Sequence, residues 1–348
     1  MSRRTTLPPA ERAGPGGLLD LRRLKGGRFS SIWLITLLLF AVSPLISPGS
    51  LSGSAVLSML PFAAVMAIAA LGQTLVVSHG GIDLSVPGGM ALAAVLATKL
   101  PAVSGVPVWA AVALGLVAGA LGGLVIGIAV VRLSIAAFVA SLAVNSILIG
   151  VVLQVSKGFP ASAGPALSAF AVGSVAGIPN LLLVAVVVIG LAHWGIRHTV
   201  LGRRFIAVGA GRPAARLLGL PTGSYEVGAY VVAGICYSLA GILLAGYLRT
   251  PDILLGDTYL LPTIAAVVLG GSLLSGGITN LAATAVAALF LTQLNQVVLA
   301  AGASTATQLL VQAGVLALSV VARGVPWSSV RARLRSRSLE PASTLSSP

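Results

Sequence analysis

The amino-acid sequence predicts an all-α, polytopic membrane protein of about ten transmembrane helices, built as two halves in inverted orientation. Three observations carry this prediction. Of the 348 residues, 57% are hydrophobic and only 8% are charged, whereas soluble domains carry roughly 25% charged residues. The apolar residues fall in about ten stretches, most of them near the ~20 residues that cross a bilayer core. The basic residues gather on one side of those stretches.

The stretches lie at about 31–48, 54–78, 85–100, 107–131, 134–156, 178–196, 226–247, 259–275, 279–300 and 304–322. The third and eighth are short and adjoin irregular connections. With the N-terminus in the cytoplasm, the inside holds a tail at 1–30, turns near 79–84, 132 and 276, the loop 197–225 and a tail at 324–348. Of 21 Lys and Arg residues, only Lys99, Lys157 and Arg249 then fall outside. Loops rich in Lys and Arg stay in the cytoplasm, so both termini are expected there, flanking a membrane domain at 31–323. The net charge of +14 is accounted for by orientation. Nucleic acid is not an expected partner, because no basic stripe with interleaved aromatics exists.

The lone cysteine, Cys236, excludes an intramolecular disulfide and a cysteine-based metal site. No phosphate-binding G-x-x-x-x-G-K-[ST] loop occurs. The seven acids are Glu11, Asp20, Asp83, Glu226, Asp252, Asp257 and Glu340, and none falls in the middle of a predicted span. Ion-driven carriers often hold carboxylates there. With no catalytic constellation either, the chain is not expected to be an enzyme, to bind a cofactor or to supply its own driving energy.

Gly115, Gly119, Gly123 and Gly127 recur every four residues in the fourth stretch. They share one helix face and predict close helix packing. The second to fifth stretches and the seventh to tenth each start with a long helix, then an irregular connection, then a short helix. That pattern predicts inverted repeats.

Between the second and third stretches lies His79-Gly80-Gly81-Ile82-Asp83-Leu84-Ser85. The glycines break the helix, and Asp83 or Ser85 can cap the next one. Two readings stay open: a capped turn, or a broken helix lining a translocation path. Gln73, Asn145, Gln293 and Asn295 are polar within spans. They predict interhelical hydrogen bonds or, for Gln73, Asn145 and Asn295, a hydrophilic path shared with Gly80, Gly81, Asp83 and Ser85.

The loop 197–225 carries Arg203 and Arg204, then Pro213-Ala214-Ala215-Arg216-Leu217-Leu218-Gly219-Leu220. Pro213 suits the start of a helix and Gly219 its end. A short cytoplasmic helix bearing Leu217, Leu218 and Leu220 would lie on the lipid interface or dock a cytoplasmic partner.

Four co-linear segments resemble one known family. Gly72-Gln73-Thr74-Leu75-Val76 with Gly80-Gly81-Ile82-Asp83-Leu84-Ser85-Val86 is similar to the signature of ribose-type ABC transporter permeases. So is Ile135-Ala136-Ala137-Phe138-Val139-Ala140-Ser141-Leu142. His198-Thr199-Val200-Leu201-Gly202-Arg203 with Ala214-Ala215-Arg216 resembles the family's coupling loop, and the run from Ile264 to Gly277 resembles its eighth-span signature. The chain departs from the family pattern at Pro87, Ala143 and Pro213. The resemblance implies a permease subunit in a bacterial cytoplasmic (inner) membrane. It implies a second permease copy or paralogue, a cytoplasmic ATPase that holds ATP and Mg, and an extracytoplasmic sugar-binding protein. The coupling region maps to Arg203, Arg204 and Ala214–Leu220. Branched-chain amino acids or nucleosides are the alternative cargo, and a secondary carrier without an ATPase is the alternative class.

Overall fold

The computed structural model describes residues 31–277 and 279–324. The basic tail expected at 1–30 and the one expected at 324–348, apart from Gly324, lie outside them. The described residues form thirteen α-helices. They are α1 (Ser31–Ile46), α2 (Gly53–Ser78), α3 (Val86–Ser104), α4 (Val108–Val131), α5 (Ala137–Ser156), α6 (Pro165–Val172), α7 (Asn180–His198), α8 (Val200–Ala210), α9 (Arg212–Leu217), α10 (Thr222–Leu248), α11 (Leu260–Leu269), α12 (Leu281–Ala300) and α13 (Thr305–Gly324). A small hairpin pairs Ser174–Val175 with Ile178–Pro179.

Seven helices, α2, α3, α4, α5, α7, α10 and α12, are long and apolar enough to cross a membrane. Each of the ten expected stretches carries a helix, but the eighth departs from its expected length. In place of 259–275, α11 has ten residues, and at 1.5 Å per residue it rises about 15 Å, half a bilayer core. Gly270 and Gly271 follow it, Gly271 at φ +98°, and Ser272 N–H turns back to the Val267 carbonyl at 3.2 Å. Three elements went unforeseen. The expected outer loop at 157–177 folds into α6 and most of the hairpin, and α8 precedes the one short helix expected in the central loop.

Helix α10 forms the centre of the bundle and packs on α4, α2 and α3, while α2 packs on α12, α7 and α11. A helix apolar on all sides belongs in an interior, and every residue of α2 from Ala63 to Ser78 is buried. Helix α4 instead buries one face, and Leu114, Val117, Leu121 and Val125 are exposed on it. Its buried face is the glycine stripe, as the spacing predicts. Gly119 meets Gly234 and Ser238, and Gly123 meets the Tyr230 carbonyl. At both positions a side chain would occupy space already filled by the α10 backbone.

Candidate functional site

The break between α2 and α3 is held by a polar network inside the bundle. Helix α2 ends where His79 N–H closes on the Val76 carbonyl at 3.0 Å. Gly80 then takes φ +77°, a conformation that favours glycine. The place of a Gly81 side chain is filled by the Tyr230 hydroxyl. Asp83 follows, fully buried. It was expected in a turn outside the spans; instead it sits beside Tyr237, well inside α10. Its Oδ1 accepts from the Ser85 N–H at 2.8 Å and the Ser85 hydroxyl at 2.6 Å. Asp83 therefore holds the N-cap residue Ser85 through its N–H and hydroxyl, and neither side chain accepts from an N–H of α3.

Helix α5 satisfies the remaining donors. Leu84 N–H donates to Ser141 Oγ at 2.9 Å, and Gly88 N–H donates to Asn145 Oδ1 at 2.8 Å. Ser141 and Asn145 are four apart, so one face of α5 serves both. On the other side, the Gln73 amide lies 2.9 Å from the Tyr237 hydroxyl. The amide orientation that satisfies every neighbour donates to Tyr237 Oη and to the Asp83 carbonyl at 3.1 Å, and accepts from Asp83 N–H at 3.3 Å. This orientation is assigned from the network. It leaves the Tyr237 proton for the Asp83 carboxyl beside it, whose Oδ2 otherwise lacks a donor among the described residues.

Gln73, Asp83, Ser85 and Asn145 thus meet in one packed cluster, and none of them lines the cavities at either end of the bundle. Gly80 and Gly81 border a cavity of about 390 Å³ with Arg212, Arg216 and Glu226. Asn295 stands apart from all of these. It faces a cavity of about 850 Å³ between the Met59 end of α2, the Leu248 end of α10, the C-terminal turns of α12 and the first turns of α13. One wall is apolar, with Phe62, Met66 and Leu244. The other carries the carboxamides of Asn295, Gln296, Gln308 and Gln312. Gln312 Nε2 donates to Asn295 Oδ1 at 2.7 Å, while the buried Gln296 Oε1 has no partner among the described residues. Gln308 and Gln312 escaped the sequence reading, although a pair spaced by four in an apolar helix was a visible signal. Gln293 lies outside this wall and donates to Ser43 Oγ at 3.0 Å, tying α12 to α1.

At the other end of the bundle, Thr199 caps α8 by accepting from Gly202 N–H at 3.0 Å. Pro213 falls in the first turn of α9, and Gly219 follows that helix at φ +73°. Leu217 is 90% exposed and Leu218 76%. Arg203, Arg204, Ala214, Arg216 and Gly219 are exposed too, whereas Ala215 is buried and Leu220 half-buried. Arg212 Nη2 donates to Glu226 Oε1 at 2.6 Å and to the His79 carbonyl at 2.8 Å. The His79 ring packs edge-on against Phe205 at 4.4 Å. Burial, reinforced by the Arg212 cation, lowers the His79 pKa to about 4 and keeps the imidazole neutral.

Closely packed apolar helices, a break inside the bundle and a polar-walled cavity at one end define a membrane permease. The chain belongs to the family described as the branched-chain amino acid transport system permease component, whose profile matches residues 55–320. It is 33% identical over 305 residues to the ribose import permease of Escherichia coli (strain K12), covering 84% of this chain and 95% of that protein. It is 34% identical over 313 residues to the galactofuranose transporter permease of the same strain, covering 86% and 91%. It is 30% identical over 260 residues to the fructose import permease of Bifidobacterium longum (strain NCC 2705), covering 73% and 72%. Among solved structures, none matches the chain significantly.

Proposed function

We propose that this chain is the membrane-spanning permease subunit of an ATP-binding-cassette importer and conducts a sugar delivered by an extracytoplasmic binding protein. The cavity facing Asn295 carries this reading. Carboxamides both donate to and accept from hydroxyls, and the apolar wall suits the C–H face of a sugar ring. Among the described residues that line it, none is cationic. The one charged residue among those lining it is Asp252, so an amino acid's carboxylate would meet a like charge and no positive partner, whereas a neutral polyol can donate its hydroxyls to Asp252 and the carboxamides alike. The sugars in the names of the three relatives agree with this choice.

The partners follow from the same reading: a cytoplasmic ATPase that holds ATP and Mg, docked on the exposed leucines of α9, and a second permease copy or paralogue. The chain would lie in a bacterial inner membrane with both termini in the cytoplasm, with residues 31–323 as the permease domain between two basic tails. Ten crossings require α1, α11 with the segment after it, and α13 to complete the set. Inverted repeats are supported by reciprocal packing: α10 lies on α4 and α3, and α2 lies on α12 and α11. These pairs exchange when α2–α5 is matched to α10–α13. The test is reconstitution in vesicles with the co-expressed ATPase and binding protein. ATP-dependent uptake of labelled pentose or hexose is expected. Uptake by the chain alone, or uptake of leucine in place of sugar, would overturn the reading.

A further inference from the structure

We infer that Arg212 is the positioning residue that transmits movement of the docking helix to the break between α2 and α3. This rests on the importer reading above. Arg212 opens α9, the helix that ends on Leu217 and is followed directly by Leu218, so a partner that grips those leucines moves the Arg212 backbone directly. Its guanidinium holds the break through the His79 carbonyl and holds the foot of α10 through Glu226. A planar, always-charged fork keeps several donors in fixed relation, which a lysine ammonium does not.

The neighbouring arginines make no such link. Arg216 Nε donates to Thr222 and Arg203 donates to the His198 carbonyl, both short-range bonds. Other contacts make the start of the break follow this segment. Phe205 of α8 rests on the His79 ring, and Gly209 leaves no room for a side chain against the Ser78 carbonyl. The Gly277 N–H donates to that same carbonyl at 3.0 Å. Residues 78–81 are therefore held between α8–α9 and the connection after α11. Beyond them lies the Asp83 network, which fixes the break to α5 and α10. The salt bridge is asymmetric, with the Arg212 side chain 44% exposed and that of Glu226 only 7%. Removal of Arg212 takes the hydrogen-bonded partner from a buried carboxylate and leaves it only the more distant charge of Arg216, whereas removal of the Glu226 charge leaves a cation that water can reach.

The test measures sugar imported per ATP hydrolysed in vesicles holding the permease, ATPase and binding protein. Arg212→Gln is expected to leave ATPase association and hydrolysis near wild type and to lower the ratio about tenfold, within the range typical of coupling between sites. Glu226→Gln, nearly isosteric, guards against misfolding of the first variant and is expected to lower the ratio in the same direction. Arg212→Lys is expected to fall between Arg212→Gln and wild type. Uptake and hydrolysis that fall together would mark a docking or folding role and overturn the inference. A wild-type ratio in both Arg212→Gln and Glu226→Gln would overturn it as well, with the importer reading intact. Wild-type vesicles with no ATP-driven uptake would overturn the importer reading and this inference with it.

Discussion

The Tyr237 hydroxyl lies 2.9 Å from the side-chain amide of Gln73, 164 residues earlier in the chain. This contact joins α10 to α2 beside the buried Asp83. Tyr237→Phe removes the proton available to the Asp83 carboxyl and leaves an acceptor buried without a donor. The cost of such a group is about 1–3 kcal/mol. A lower thermal unfolding midpoint in detergent is expected, with Gln73→Leu shifting it in the same direction. Asp83→Ala is expected to reduce uptake as well. A Tyr237→Phe midpoint equal to wild type would mean that Asp83 finds its proton elsewhere.

The glycine stripe gives a contrast within one pair of neighbouring helices. Gly123→Val places a side chain against the Tyr230 carbonyl, and Gly119→Val places one against Gly234. Overpacking of this kind costs roughly 1–3 kcal/mol or more, and here the obstruction is backbone, which cannot rotate away. Gly150 on α5 has nothing within 4 Å of the same added atom. Size-exclusion profiles in detergent should therefore show aggregation for the two α4 variants and a wild-type peak for Gly150→Val.

The cavity facing Asn295 makes a prediction about cargo. Gln312→Leu removes the donor to Asn295 and one of the four carboxamides of that wall. Removing one net hydrogen bond is worth about 0.5–1.5 kcal/mol, so the sugar concentration that gives half-maximal uptake should rise several-fold. Gln312→Leu should do this without lowering ATPase association, which is set at the opposite end of the bundle. A change in association and none in sugar dependence would place the cargo path elsewhere.

Leu217 and Leu218 present large exposed apolar surface next to Arg216 in the chain. Leu217→Ser with Leu218→Ser should weaken capture of the ATPase on an affinity column. Truncating a central apolar anchor often costs more than 1 kcal/mol at an interface, or about tenfold in affinity. Binding of the double variant to lipid vesicles alone should stay unchanged. Loss of lipid binding with normal ATPase capture would assign these leucines to the membrane interface.

Much of this fold was legible because its signals are one-dimensional. The apolar runs located a helix at each of ten positions, and the four-residue glycine spacing foretold the α4–α10 contact. The Gly80-Gly81 pair foretold the break, which needs a positive φ at one position and no side chain at the other. What escaped depends on three-dimensional proximity. Asp83 reads as a turn residue because the sequence does not reveal that Gln73, Tyr237 and Ser141 enclose it. Arg212 reads as one loop arginine among five, since its partners His79 and Glu226 are distant or unremarkable in sequence. Helix α11 was overextended because an apolar run continues past Gly271, and composition alone does not stop a helix there. The path candidates were divided for the same reason: Asn295 faces the cavity beside α13, and the polar residues around Asp83 hold the break closed on itself.

His79 gives a pH dependence with a defined sign. In the unfolded chain its imidazole titrates at 6.5, and in the folded protein burial and Arg212 lower that to about 4. Between these values the unfolded chain holds more protons, so stability declines as pH falls. The contribution is fully present above pH 6.5, is lost progressively toward pH 4 and totals roughly 3 kcal/mol. Other groups titrate in the same window, so the measurement is the difference between wild type and His79→Leu. The variant keeps an apolar group against Phe205 and cannot take up the proton. Its unfolding midpoint in detergent should fall less than that of wild type from pH 6.5 to pH 4.5, and the two profiles should run parallel from pH 6.5 to pH 8. Parallel profiles throughout would mean that the protonated ring finds an acceptor in the folded protein. The Arg212 cation beside it opposes this by disfavouring a second positive charge.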